Sequence, residues 1–296
     1  MTALPIAAVE RDTGIPKDTL RVWERRYAFP LPLRDDKGER LYPIEQVEKL
    51  RLLRRLLDQG HRPGSIVSAP AEALAALLEP TGHMGGESSN AAIDPLIDLV
   101  RMHRNAELRA ALQQHAVKLG LQRFVAELVA PLSQAIGEAW LRGDIGVAEE
   151  HLFTEQVQNL LRSSINSLGP SARSPRILMT TVPGEEHILG LLMVEATLAP
   201  EGVQCISLGA QTPVADIAQA ARDGQFDIVA VSFSAAFPAR QAFLALEQLR
   251  NALPVGISLW AGGAALNGKR KRIDNVRQID RLDALLDALA EWRQTN

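Results

Sequence analysis

The chain has 296 residues, of which 46% are hydrophobic, enough for the cores of two or three domains. No run of about eighteen apolar residues occurs, and no basic stretch precedes an apolar one at the N-terminus, so we expect neither a membrane-spanning helix nor a signal peptide. A single cysteine, Cys205, excludes an internal disulfide and predicts a cytoplasmic protein with a structural thiol. The net charge is −3, but residues 1–62 carry 13 Lys and Arg against 10 Asp and Glu, so a polyanion would bind near the N-terminus.

Residues 6–27 predict two helices joined by a turn at Gly14, and the charged turn around Gly38 predicts a β-hairpin wing. Arginine at helical spacing can reach guanine edges in a major groove, while wing residues contact phosphates. The candidate DNA-contacting residues are Lys17, Thr19, Arg21, Arg25 and Arg26 on the second helix and Arg40 and Tyr42 on the wing. Because acidic residues interleave the basic ones, a solvated helical surface is the alternative interpretation.

The run Thr19-Leu-Arg-Val-Trp-Glu-Arg-Arg-Tyr27, the wing arginines and the helix from Ile44 to Gly60 resemble the MerR family of transcriptional regulators. The resemblance covers residues 4–70. It implies a winged helix-turn-helix that binds double-stranded operator DNA as a dimer.

Two stretches rich in Gly, Ser and Pro, residues 79–90 and 169–175, predict linkers. They divide the chain into domains at 1–78, 91–168 and 175–296. Apolar spacing in the middle domain predicts four helices with short connections, hence a four-helix bundle, with a kink at Pro131.

The last domain alternates short apolar runs with helical stretches, which predicts five βα units and a parallel sheet covered on both faces. The expected fold is therefore α/β, Rossmann-like with a flavodoxin-like sheet. In such sheets ligands bind beyond the carboxyl ends of the strands.

Glu185 and His187 follow the first strand of this domain. A carboxylate two positions before a histidine can accept one ring proton and so fix the tautomer of a metal ligand. The alternative is a histidine that begins a helix beside a capping glutamate.

The pattern Glu185-x-His187-x-x-Gly190 resembles the cobalamin-binding Rossmann-like domain, whose motifs are Asp-x-His-x-x-Gly, Ser-x-Leu and Gly-Gly. The resemblance implies that His187 is the lower cobalt ligand and that Glu185 orients it. It also implies that the nucleotide tail of the cofactor inserts among small residues: Gly190, Ser232, Ser234, Gly262 and Gly263. Glu185 in place of Asp and Ser234 in place of Leu are departures from the pattern.

Trp140 is followed after nine residues by Glu150-His151, a spacing similar to the helical cap of light-responsive MerR-type repressors of the CarH/LitR group. In that group Trp shields the upper face of the corrin, and the Glu-His pair faces the adenosyl group. Photosensory members often carry a histidine directly after the Trp, where this chain has Leu141.

These patterns predict a repressor, not an enzyme, whose oligomeric state and operator binding depend on adenosylcobalamin and light. Two alternatives remain: a MerR-type regulator that works without cobalamin or with another ligand, and a corrinoid-dependent enzyme subunit. The enzyme class needs a partner domain for its substrate, whereas this chain begins with a DNA-binding module.

Overall fold

The computed structural model describes residues 3–35, 38–58, 61, 63–78, 87–169, 173–269 and 271–295. The chain forms two compact units, Met1–Gly85 with Gly137–Gly146, and Gly86–Ile136 with Val147–Asn296. The end of the third predicted bundle helix thus belongs with the N-terminal unit, and the predicted boundaries of three domains stay a prediction. None of the described helices combines the length and apolar character needed to span a bilayer.

The N-terminal unit packs short helices around a three-stranded antiparallel sheet. Its elements are β1 (Ala3–Pro5), α1 (Ile6–Thr13), α2 (Lys17–Tyr27), β2 (Leu33–Arg34), β3 (Arg40–Pro43), α3 (Ile44–Asp58), α4 (Pro63–Ile66) and α5 (Ala71–Leu78). Gly14 ends α1 with φ 65°, a left-handed conformation that glycine adopts without strain, so the turn lies where the sequence predicts it. Leu20 and Trp23 of α2 are buried in the core.

The wing is the hairpin of β2 and β3, in which Leu33 lies opposite Leu41 and Arg34 opposite Arg40. The sequence predicts this hairpin, and the structure confirms it. The other edge of β3 pairs with β1, whose residue Leu4 lies opposite Tyr42. Three residues are too few to show an alternating pattern, so β1 is not predictable from the sequence.

Helices form the first part of the second unit and continue into the segment Gly137–Gly146. They are α6 (Glu87–Arg101), α7 (Asn105–Leu119), α8 (Leu121–Phe124), α9 (Ala130–Arg142) and α10 (Val147–Asn166). A π-helical turn, Val125–Val129, joins α8 to α9 just before Pro131, which lacks an amide donor. The Ser133 hydroxyl donates to the Val129 carbonyl at 2.7 Å. The irregularity expected at Pro131 therefore takes the form of a π turn.

The second unit continues with a five-stranded sheet in which every pairing is parallel. Its elements are β4 (Arg173–Thr180), α11 (Leu189–Leu198), β5 (Val203–Ser207), α12 (Val214–Asp223), β6 (Ile228–Ser232), α13 (Ala239–Ala252), β7 (Ser258–Gly262), β8 (Val276–Ile279) and α14 (Ala284–Thr295). The strand order is β5-β4-β6-β7-β8, the flavodoxin-like order, which confirms the predicted fold class.

The direction of this strand order reverses between β4 and β6. Loops that leave the carboxyl ends of two such strands diverge to opposite sides and open a crevice between them. The loop after β4 contains Glu185 and His187, and the loop after β6 begins at Phe233 and contains Ser234. The topology therefore places these candidate residues at one crevice.

Three expectations about segment boundaries need correction. Of the first predicted linker, residues 79–86 lie outside the described residues, and 87–90 form the first turn of α6. Of the second, residues 170–172 lie outside them, and β4 begins at Arg173. The helix expected to start at His187 starts at Leu189, because the Glu185 carboxylate accepts the His187 amide and holds these residues in a loop.

Candidate functional site

Glu185 lies between the loops after β4 and β6. Its side chain is only 1% exposed, and four hydrogen bonds converge on its carboxylate. Its Oε1 accepts from the His187 amide at 3.0 Å and pairs with His187 Nδ1 at 2.7 Å. The amide of Ser234 donates to Oε2 at 2.7 Å, and the Ser234 hydroxyl donates to Oε1 at 3.1 Å. One buried carboxylate therefore ties the loop after β4 to the loop after β6.

These contacts also set the charges of the pair. Burial by itself raises the pKa of Glu185, but the hydrogen bonds from His187 and Ser234 outweigh it and hold the pKa below its ordinary value. The hydrogen bond to Glu185 raises the pKa of His187, against the opposing effect of burial. An ionised Glu185 keeps the proton on Nδ1, so Nε2 is the nitrogen that can bind a metal.

Ser234 stands where the family pattern has Leu, and the sequence predicts that it lines the cavity for the nucleotide tail of the cofactor. In the structure its hydroxyl lies 3.1 Å from His187 Nδ1 and 3.1 Å from Glu185, so it belongs to the histidine-orienting network. A leucine could not make these contacts. The departure at this position thus has a physical role that the sequence pattern does not reveal.

The glycines of the motifs allow close packing of the chain on itself. A Cβ at Gly190 would lie 2.3 Å from Ser232 Oγ, one at Gly262 2.9 Å from the Ile279 carbonyl oxygen, and one at Gly263 2.2 Å from the Phe233 carbonyl oxygen. A larger residue at these positions would clash with the Ser232 side chain, the end of β8 or the loop after β6. Contact of Gly190, Ser232, Gly262 and Gly263 with a cofactor tail stays a prediction.

Glu150 and His151 form a second carboxylate–histidine pair, in the first turn of α10. His151 Nδ1 lies 2.6 Å from Glu150 Oε2, and Thr154 donates to the other carboxylate oxygen at 2.8 Å. The His151 side chain is 75% exposed. Glu150 is close enough to His187 for its charge to contribute to the raised pKa of that residue, so both pairs belong to one electrostatic neighbourhood.

Trp140 belongs to the N-terminal unit, whereas Glu150 and His151 belong to the second. The guanidinium carbon of Arg51 lies 5.7 Å from the centre of the Trp140 ring. The sequence predicts Trp140 near Glu150 and His151, and that expectation stays a prediction.

The second helix of the N-terminal unit, α2, presents the basic surface that the sequence predicts. Lys17, Arg21, Arg25 and Arg26 are exposed, while Thr19 is half-buried. Arg21 lies 2.9 Å from Asp18 one turn earlier, an exposed ion pair that holds the guanidinium only weakly. Arg34 of the wing, opposite Arg40, is also exposed and is a candidate that sequence reasoning did not single out.

The prediction that Tyr42 reaches a phosphate is wrong. Tyr42 is 0% exposed and its hydroxyl has no hydrogen-bond partner among the described residues. Side chains two apart in a strand share a face, and the face of β3 that carries Arg40 and Tyr42 is turned inward. Arg40 accordingly pairs with Glu24 of α2 at 2.9 Å and ties the wing to that helix.

Two further residues hold the loop before His187, and nothing in the sequence pattern indicates them. The Thr181 hydroxyl donates to the Glu185 carbonyl and accepts from the Gln211 amide at 2.9 Å. The Gln211 side chain accepts from the Gly184 amide at 3.3 Å. The loop after β5 thus braces the loop that carries the histidine.

The residues of the crevice fit a cobalt corrinoid with a histidine as lower ligand. His187 keeps Nε2 without a partner among the described residues, its side chain is 59% exposed, and Nδ1 is anchored by Glu185. A neutral imidazole held in this way is a suitable cobalt donor.

Comparison with known families identifies the modules. Residues 4–68 match the family described as MerR HTH family regulatory protein. Residues 92–163 and 175–277 each match a family described as B12 binding domain. The order is the one that the sequence motifs predict.

Among curated proteins, the HTH-type transcriptional repressor CarH of Myxococcus xanthus is 31% identical over 261 residues, covering 85% of this chain and 86% of CarH. The chain belongs to this family of repressors. CarA of the same organism is 29% identical over 263 residues, covering 88% of this chain and 87% of CarA. A member of the family that joins a MerR helix-turn-helix to B12-binding domains is a cobalamin-responsive DNA-binding regulator and not an enzyme.

Among solved structures, the monomethylamine corrinoid protein of Methanosarcina barkeri is similar, with a TM-score of 0.55 at 14% identity. The match covers 69% of this chain and 99% of that protein. At this identity the likeness shows that the two proteins share a fold.

Cys205 is half-buried in β5, where burial and nearby Glu195 raise its pKa to about 12, so it is an unreactive thiol.

Proposed function

We propose that this repressor binds adenosylcobalamin and that light, by removing the adenosyl group, ends its binding to operator DNA. The observation that carries the proposal is the Glu185–His187–Ser234 network at the crevice of the sheet. It supports a histidine-ligated corrinoid because it orients one imidazole and leaves Nε2 open.

Each part of the second unit has a role in this proposal. His187 would bind cobalt through Nε2, and Glu185 would keep the Nδ1 proton in place. Gly190, Ser232, Gly262 and Gly263 would line the path of the nucleotide tail. Glu150 and His151 would contact the adenosyl group, since their paired side chains offer hydrogen-bond donors and acceptors to a ribose. The assignment of Trp140 to the upper corrin face rests on its spacing from Glu150 alone.

The N-terminal unit supplies the DNA contacts. We propose that Arg21, Arg25 and Arg26 reach base edges or phosphates from α2, with Lys17 and Thr19 at its start. Arg40 acts through Glu24 by fixing the wing, and Arg34 is an exposed cation among the described wing residues. The chain acts as a homo-oligomer, because two modules bound to two half-sites gain affinity through multivalency. The cytoplasm is its proposed location.

The test combines absorption spectroscopy with DNA binding. Purified chain is mixed with adenosylcobalamin in the dark, and operator fragments selected from random DNA by the loaded protein are titrated before and after illumination. We expect the wild type to retain the corrinoid and to lose at least about tenfold in operator affinity on illumination, about 1.4 kcal/mol. Size-exclusion chromatography of the same samples follows the loss of the oligomer.

His187→Ala is the informative variant, with His115→Ala on α7 as its control. We expect His187→Ala to weaken corrinoid binding and to remove the spectrum of histidine-ligated cobalt, while the control keeps both. Unchanged affinity and spectrum in His187→Ala would remove His187 as the lower ligand. A wild type that binds operator equally with and without corrinoid would favour a regulator that uses another ligand.

A further inference from the structure

The end of α9 and the turn after it each contact α3 within the N-terminal unit. The ring of Trp140 lies over the Arg51 guanidinium at 5.7 Å, and a Cβ at Gly143 would lie 3.4 Å from a carboxylate oxygen of Glu48. Glu48 and Arg51 are three residues apart, so they share a face of the helix. The segment that carries Trp140 thus belongs to the N-terminal unit.

Asp12 of α1 holds Arg51 from another side. Nε and Nη2 of Arg51 donate to the two Asp12 oxygens at 2.9 to 3.2 Å, and the two side chains are only 12% and 11% exposed. A bidentate pair fixes the plane of the guanidinium and leaves its face free for an indole. Trp140, Arg51 and Asp12 therefore form a continuous chain of contacts from α9 to α1.

The first helix, in turn, holds the start of the recognition helix. Glu10 of α1 accepts a hydrogen bond from the backbone amide of Lys17, the first residue of α2, at 3.0 Å. A small displacement of α1 would therefore move the first turn of α2, which carries Lys17 and Thr19.

We propose that Arg51 is a positioning residue that holds Trp140 against α3 and links it through Asp12 to α1, so that cofactor binding at Trp140 alters the helix-turn-helix. The inference rests on the proposed function, because it needs the corrinoid to engage Trp140. Trp140 is half-buried, so part of its indole stays accessible to a ligand while the rest contacts the unit. Loss of the Arg51–Trp140 contact should leave the cofactor able to bind and the helix-turn-helix folded, but cofactor binding should no longer alter the helix-turn-helix.

The test measures amide hydrogen exchange of the full chain, by mass spectrometry, with and without adenosylcobalamin in the dark. The variant is Arg51→Met combined with Asp12→Asn, so that no buried charge is left without its partner. Arg54→Met is the control, because Arg54 lies on the same helix and donates to the Gly14 carbonyl at 3.1 Å. Should the double variant fold poorly, Arg51→Lys removes the planar guanidinium and keeps the charge.

In the wild type and in Arg54→Met, we expect the corrinoid to slow exchange in α1 and α3 at least about twofold. In the double variant this change should vanish while the corrinoid stays bound, with an affinity reduced about two- to five-fold, as expected for one lost cation–π contact. A corrinoid effect on α1 and α3 that survives in the variants, or is missing in a wild type that binds corrinoid, overturns the inference alone. A wild type whose spectrum shows no bound corrinoid overturns the proposed function as well.

Discussion

At the scale of single residues, burial separates side chains that the sequence presents as equivalent. Arg40 and Tyr42 both look like wing contacts, yet Arg40 is tied to Glu24 and Tyr42 is enclosed in the core. Ser234 looks like a defect of a motif, yet it donates to the Glu185 carboxylate. The chemistry of a position depends on which face of its strand or loop is turned inward.

Ser234 can be tested by replacing it with Ala or with Leu, the residue of the family pattern. Both variants lose the hydroxyl contacts to Glu185 and His187 but keep the amide contact to Oε2. We expect corrinoid affinity to fall about two- to tenfold in each, the equivalent of one hydrogen bond. Titration with adenosylcobalamin, followed by absorption, measures the change, and Ser207→Ala in β5 is the control. Full affinity in Ser234→Leu would assign the residue to the cavity wall after all.

The Glu185–His187 pair should stabilise the apo fold in a defined pH window. The lowered pKa of Glu185 contributes stability that is present above the ordinary value of 4.5 and is lost as pH falls through the folded value. The raised pKa of His187 contributes stability that is present below its ordinary value of 6.5 and is lost as pH rises through the folded value. Between 4.5 and 6.5 both contributions are therefore present.

Urea unfolding of the apo chain checks this window. We expect His187→Gln to lose more unfolding free energy at about pH 5.5 than at about pH 8.5. His115→Gln, a histidine substitution of the same kind on α7, is the control for His187→Gln. An equal loss at the two pH values would show that the pair does not titrate as the geometry indicates.

Tyr42→Phe should stabilise the N-terminal unit. The buried hydroxyl has no partner among the described residues, and burial raises its pKa. Because removing an unsatisfied hydroxyl relieves its desolvation cost, we expect the free energy of unfolding to rise by about 1 kcal/mol. Operator affinity should stay unchanged, since the side chain is enclosed. A loss of affinity in a fully folded Tyr42→Phe would restore the wing contact that the sequence predicts.

At the scale of elements, the recognition helix and the wing act together. The exposed arginines of α2 lie on the surface that bears no core residues, and β3 is fixed to the same helix through Arg40 and Glu24. In the proposed complex the α2 surface would carry the readout, while the wing depends on that helix for its position. Electrostatic contacts to phosphates should therefore dominate the salt dependence of binding.

Arg25→Ala should lower the slope of log affinity against log salt by about one unit, because one phosphate contact releases about one counterion. Filter binding or fluorescence anisotropy at several salt concentrations measures the slope. Arg240→Ala, at the start of α13 in the second unit, should leave it unchanged. A wild-type slope in Arg25→Ala, with Arg21→Ala and Arg40→Ala also at wild-type affinity, would refute the winged-helix assignment.

At the scale of the whole molecule, the two units carry different chemistry on one chain. The first unit contains a basic helix and wing, and the second contains a parallel sheet whose crevice presents an oriented histidine. Binding of a ligand to the folded second unit stabilises that fold by mass action, by about 2.7 kcal/mol when the ligand is at 100 times its Kd. Loss of the ligand on illumination would remove this stabilisation.

Illumination of the loaded chain should yield a corrinoid with water in its upper position, or should release the cofactor. Leu141 stands where photosensory relatives often carry a histidine, and a leucine offers cobalt no lone pair. In the proposed arrangement His151, whose Nδ1 is paired with Glu150, would be a histidine on the upper side. Absorption spectra and mass spectrometry after illumination measure the product. A stable bis-histidine species that persists in His151→Ala would contradict the placement of the upper face.

Local patterns alone determine much of this protein. The helix-turn-helix, the wing, the five strands of the sheet and the Glu185–His187 pair follow from periodicity, turn residues and spacing, because these are short-range properties of the chain. The prediction of five βα units is wrong in one place: among the described residues, β7 leads to β8 without a helix. The switch point follows from the order of strands and helices. Even the loop that replaces the first turn of α11 depends on residues only two positions apart.

Only the tertiary structure decides which distant groups meet. Ser234 reaches Glu185 from a position 49 residues away, and Trp140 contacts Arg51 although the first stretch of their unit ends at Gly85. Such contacts depend on how faces pack, which local pattern does not encode. The inward turn of Tyr42 has the same origin: alternation along β3 defines two faces, and only the packing of the helices selects which of them is buried.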